Sequence, residues 1–147
     1  MSGSTIPNEA ISRVRELQEN IDQLQANIAA IEQQVNLIYR AMNSLNDAIK
    51  TQNELKTKKP GDEILIPIGG SNLILCMIKD PHKTYISLGS GITLHTELID
   101  SEERNKSQIE NLENSMKQLQ EQHSQLSQKL NSERQELLKI AQKYQFF

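Results

Sequence analysis

Tryptophan is absent from this chain, and its aromatic complement is two phenylalanines and three tyrosines in 147 residues. Aromatic side chains supply much of the burial in compact domains, and only 36% of the residues are hydrophobic. An ordinary globular core is therefore excluded; such a balance suits long helices that bury one narrow stripe. The single cysteine, Cys76, rules out an internal disulfide framework and a cysteine zinc cluster. A formal net charge of −3 gives no general affinity for nucleic acid or anionic lipid. No apolar run reaches the length of a membrane span. The opening "MSGSTIPNEA" lacks the basic start and apolar stretch of a secretory leader, so the expected location is the cytoplasm.

Glycine and proline are also missing from residues 8–59 and 92–147, and those two segments carry a heptad pattern. In the first, Val14, Leu17, Ile21, Leu24, Ile28, Ile31, Val35, Ile38, Met42, Leu45 and Ile49 recur at alternating steps of three and four. Most a positions are β-branched and every d is Leu or Ile, which is coiled-coil spacing. The second segment repeats it through Ile109, Leu112, Met116, Leu119, His123, Leu126, Leu130, Glu133, Leu137, Ile140, Tyr144 and Phe147. Each seam corresponds to a helix of roughly 55–60 Å. Matched lengths favour an antiparallel pair within one chain over parallel pairing with another. Helix one widens its apolar stripe toward the middle of the chain, with Leu37, Tyr39, Ala41 and Ala48. Pro7 discourages helix before Asn8 or Ser12, either of which can cap it.

Between the helices, "EILIPI", "GGS" and "NLILCMI" read as one β-hairpin, and "TYISL", "GSG" and "ITLHT" as a second, linked by "DPHK". The glycines supply positive φ at the two tips, and Pro67 places its strand at an edge or bend. The first hairpin is apolar on both faces. A four-stranded sheet beside two helices covers one face and leaves the other bare. The physical solution is other subunits, with the strands joining those of neighbours in a closed sheet or barrel. The assembly residues expected from this are Ile64, Ile66, Ile68, Leu73, Leu75, Met77, Ile86, Leu88, Ile92 and Leu94. The expected organisation is a single domain over residues 1–147: a coiled-coil helix over 8–55, the hairpins over 60–97, and a second coiled-coil helix over 98–147. Its class is α+β, a long antiparallel two-helix coiled coil with two β-hairpins at the bend.

That arrangement resembles the prefoldin family, specifically its alpha class, since beta-class subunits carry one hairpin. "LIPI", from Leu65 to Ile68, and "SLGSGITLHTE", from Ser87 to Glu97, look like the alpha-class strand and turn pattern. The resemblance implies a heterohexamer of two alpha and four beta subunits. Its coiled coils would hang from a double β-barrel body, hold non-native proteins at their tips, and deliver them to a group II chaperonin without nucleotide hydrolysis. It implies no cofactor, catalytic residue or metal, and no nucleic-acid or membrane partner.

In an antiparallel hairpin the free tip joins the start of helix one to the end of helix two. Ile6, Ile11, Val14, Leu137, Leu138, Ile140, Tyr144, Phe146 and Phe147 lie there and form the expected client-binding set. The expectation is a clamp opened by fraying, since terminal turns lack hydrogen-bond partners and Glu133 interrupts the seam behind them. His82, His95 and His123 have no spacing suited to a metal or to catalysis, Cys76 reads as packing, and "GSG" is a turn rather than a dinucleotide loop. The rival reading is a structural tether or spacer dimerised by its β insert.

Overall fold

A computed structural model describes residues 6–144 of the chain. In order, the elements are α1 (Asn8–Leu55), β1 (Glu63–Gly69), β2 (Asn72–Met77), β3 (Lys83–Gly89), β4 (Ile92–Glu97) and α2 (Leu98–Tyr144). The α+β class with two long helices and two intervening hairpins is the one the sequence indicates. The chain divides into two compact units. One comprises residues 6–39 with 114–144, the other Arg40–Glu113.

In the first unit α1 and α2 run antiparallel. Ile21, Leu24 and Leu130 are buried together, with Ile28, Leu126 and Leu137 packed against them. Every heptad position from Val14 to Ile38 and from Met116 to Tyr144 is buried or half-buried. Period alone selects these positions because a two-helix seam has no third layer to widen the stripe. The polar seam residues find cross-helix partners. His123 Nε2 lies 3.2 Å from Glu32 Oε1, and Asn20 Nδ2 donates to Glu133 Oε2 at 3.3 Å. Glu133 therefore joins the two helices at this level, whereas the heptad read alone makes it an interruption.

In the second unit α1 and α2 also pair antiparallel, with Met42, Leu45, Ile49, Ile109 and Leu112 half-buried, and the pairing then turns polar. Gln52 Nε2 donates to Ser101 Oγ at 2.9 Å and Gln52 Oε1 accepts from Asn105 Nδ2 at 3.2 Å. Glu102 is 3% exposed, between the ammonium groups of Lys56 and of Lys106, the latter at 2.7 Å. Hydrogen bonding to Lys106 and then to Lys56 outweighs burial and holds the Glu102 carboxyl below its ordinary value.

The hairpins form two separate two-stranded antiparallel sheets, β1–β2 and β3–β4. They are the two hairpins that the sequence indicates, and no ladder joins one to the other among the described residues. "DPHK" closes a turn in which His82 N donates to Asp80 Oδ1 at 2.9 Å, and Pro81 is buried. The two hairpins are copies in geometry, twenty residues apart. Glu63 pairs with Met77 and Lys83 with Glu97, and both ladders carry an extra residue, Ile68 or Leu88, just before the tip. Positive φ falls on Gly69, Gly70 and Ser71 in one and on Gly89, Ser90 and Gly91 in the other, a two-residue turn whose twist matches the strands. The backbone donors that follow the hairpins match too: Ile78 N to Asp62 O at 2.8 Å, and Leu98 N to His82 O at 2.7 Å.

Candidate functional site

The pairing register sorts the hairpin side chains into faces, because alternate residues point to opposite sides. On β1–β2 one face carries Leu65, Pro67, Leu73, Leu75 and Met77, and the other Ile64, Ile66, Ile74 and Cys76. Both are apolar. Leu65, Leu73, Leu75 and Met77 remain 58–73% exposed, and Ile66, Ile68 and Ile74 are exposed as well. Ile64 and Cys76 are half-buried.

The second hairpin keeps only one of these faces. Ile86 faces Leu94, with Leu88 and Ile92 beside the tip; Ile86 is half-buried and the other three are exposed. Its opposite face is polar. Lys83 forms an ion pair with Glu97, the Tyr85 and His95 rings stack at 4.7 Å, and Ser87 pairs with Thr93. Since each sheet has two strands, every strand also has one edge without a ladder partner among the described residues. Unpaired edges flanked by bare apolar faces invite strands from another chain.

The second cluster lies in the first unit, where the start of α1 meets the end of α2. Ile6, Val14, Leu137, Ile140 and Tyr144 are half-buried, and Ile11 and Leu138 are exposed. Phe146 and Phe147 lie outside the described residues. Arg13 ties the two helices together here with a two-pronged contact: Nε to Glu136 Oε1 at 2.8 Å and Nη2 to Glu136 Oε2 at 3.0 Å. Its Nη1 also donates to Glu16 at 2.9 Å. This paired geometry raises the Arg13 pKa, chiefly through Glu136 and then Glu16, and lowers that of Glu136. Sequence reasoning did not single out Arg13 or Glu136. The signal available was that each directly precedes a seam residue, Val14 and Leu137, at the position where coiled coils place interhelical ion pairs.

Neither cluster assembles a catalytic set. Among the described residues no group of three or more His, Cys, Asp or Glu side chains is placed to hold a metal ion. His82, His95 and His123 fall on a turn, a strand and the seam, so nothing brings them together. No helix among the described residues is long and apolar enough to cross a membrane.

The Prefoldin family model, described as prefoldin subunit, matches residues 24–143. No curated protein matches the chain. Among solved structures it is similar to the filamentous prefoldin from Methanocaldococcus jannaschii determined by cryo-electron microscopy. The TM-score is 0.55 at 21% identity, with 86% of this chain and 96% of that one covered. Two antiparallel helices, two hairpins with open edges, and a family match across most of the length agree: the chain belongs to the prefoldin family, a non-enzymatic family of chaperone-type coiled-coil subunits that assemble into oligomers.

Proposed function

We propose that the chain is an alpha-class prefoldin subunit. It joins beta-class subunits as two alpha with four beta, captures unfolded proteins at its coiled-coil end without nucleotide, and passes them to a group II chaperonin in the cytoplasm. The observation that carries the reading is the first hairpin, apolar on both faces and open at both edges. Covering Leu65, Leu73, Leu75 and Met77, about three-fifths exposed, is worth roughly 4–7 kcal/mol, taking ~1.5–3 kcal/mol for each side chain fully buried. A lone chain forfeits that free energy, and an assembly whose strands close into a barrel recovers it. Ile64, Ile66 and Ile68 on this hairpin and Ile86, Leu88, Ile92 and Leu94 on the second complete the proposed assembly surface.

Ile6, Ile11, Val14, Leu137, Leu138, Ile140, Tyr144, Phe146 and Phe147 are the proposed client contacts. Each contact is weak, and several subunits holding one client multiply affinity through effective concentration. Co-expression with a beta-class subunit followed by native mass measurement tests the assembly. The expected product is a hexamer that suppresses aggregation of a heat-unfolded model enzyme. A dimer with no effect on the enzyme would instead establish a tether. A polymer formed by this chain alone would replace the hexamer with the filamentous arrangement named for the Methanocaldococcus jannaschii protein.

A further inference from the structure

Among the described residues Met77 is the most exposed large hydrophobic side chain, at 73%. It ends β2 opposite Glu63, on the face that also carries Leu65, Leu73 and Leu75. The other described methionines, Met42 and Met116, are half-buried in the helix seams. Cys76, its neighbour in the strand, points to the opposite face and is half-buried. An oxidant in solution therefore meets the Met77 sulfur in the open and the others behind cover.

The second hairpin shows what a polar group does at this place. Met77 pairs with Glu63 as Glu97 pairs with Lys83, at the start of two ladders with the same register and bulge. Glu97 keeps that register while carrying a carboxylate, ion-paired with Lys83, so the backbone tolerates a polar side chain here. The copies differ in the face around it. Glu97 shares its face with Tyr85, Thr93 and His95, which can stay wet, whereas Met77 shares its face with three leucines. Leaving those in water forfeits the free energy of their burial. A polar group at position 77 would leave the hairpin folded and spoil only the apolar face offered to a partner.

We infer that Met77 is an oxidation site that decides whether an unassembled chain can join its partner subunits. The oxidant is hydrogen peroxide or an alkyl peroxide. With hydrogen peroxide, a lone pair of Sδ attacks one peroxide oxygen, and the S–O bond forms as the O–O bond breaks. The proton passes from the transferred oxygen to the departing one, which leaves as water. Sulfur gives up two electrons and the peroxide takes them. The product sulfoxide is polar where the thioether was apolar and flexible. Covering it with an apolar neighbour strips its water and returns no hydrogen bond. In an assembled particle the same sulfur is already covered, so the reaction sorts free chains from those built in. The inference rests on the assembly reading above and adds a control on its own surface.

The experiment exposes the free full-length chain, and its complex with a beta-class subunit, to hydrogen peroxide and maps oxygen addition by peptide mass spectrometry. In the free chain Met77 should gain oxygen ahead of Met42 and Met116; in the complex it should be protected. Assembly of the oxidised chain, read by native mass across a range of beta-subunit concentrations, should weaken by about tenfold or more. Methionine sulfoxide reductases for both epimers, supplied with a dithiol, should restore it. Met77→Leu should assemble as the parent does, before and after peroxide. Met77→Gln should assemble poorly without any oxidant, while amide exchange of residues 63–77 in the free chain stays as in the parent. Three results overturn the inference and leave the assembly reading in place: Met77 oxidised no faster than Met42 and Met116, undiminished assembly of the oxidised chain, or loss of assembly by peroxide-treated Met77→Leu. Failure of the untreated parent to form a complex at all overturns the assembly reading, and the inference with it.

Discussion

Leu17→Ala tests the packing of the helix pair most directly, because among the described residues Leu17 is the one large side chain with no exposed surface. Removing its isopropyl group forfeits about 2.5 kcal/mol of transfer free energy at ~0.8 kcal/mol per carbon. The cavity adds to that, but a seam only two helices thick can close over a void from both sides. The total should therefore fall near 3 kcal/mol, at the low end of the ~2.7–5 kcal/mol found for buried leucines. Helix propensity changes little, since Leu and Ala are both good formers. Native-state amide exchange reads this locally. Amides of residues 14–24 should lose roughly a hundredfold in protection, at about 1.4 kcal/mol per tenfold. Leu126→Ala, at a half-buried seam position, should cost about half as much in free energy. A loss of less than about fivefold in Leu17→Ala, equivalent to ~1 kcal/mol, would show that this end is already loose and refute the packing argument.

Two further outcomes follow from the buried acid and the two hairpins. Glu102 has its folded-state pKa held below the ordinary 4.5 by Lys106 and Lys56, so its stabilising contribution is complete above that value and is lost as pH falls through the lowered folded pKa. Thermal melts from pH 7 down to pH 3 should show the parent protein losing stability more steeply than Glu102→Gln below about pH 4.5, and parallel curves would deny the linkage. Leu73 and Thr93 occupy the same place in the two ladders. Leu73→Glu should therefore abolish assembly as read by native mass, while Thr93→Glu leaves it intact; equal effects would mean that both faces of the second hairpin are covered too.

The parts of this fold that were legible in the sequence are those governed by period and by local backbone demand. The seam from Val14 to Ile49 needed only the step of three and four, and the hairpin tips only the glycines that tolerate positive φ. What the pattern hid is polar pairing across the chain. Gln52 follows Ile49 by the seam's own step of three, and Glu102 and Asn105 precede Ile109 by seven and four. The register runs on through them, but an apolar template stops where side chains become amides and acids. Glu133 reads as a break because its partner Asn20 is 113 residues away, and no single-helix pattern supplies that information. Likewise the separation of the strands into two sheets depends on the path of the Asp80–Lys83 turn, which strand propensity does not encode. Where the start of α1 meets the end of α2, exposure of Ile11 and Leu138 is readable from the heptad, but the Arg13–Glu136 fork depends on how the two helices are aligned.

The matched hairpins carry one more implication. Turn geometry, bulge and ladder register are the same in both copies, and the chemistry differs mainly at alternate positions, where Leu65, Leu73 and Leu75 become Tyr85, Thr93 and His95. How many neighbours such a bracket can accept is therefore set by a handful of side chains that leave the backbone untouched. A subunit of this design could acquire or shed a contact by a few point changes, keeping its scaffold while the size of the particle it builds is revised.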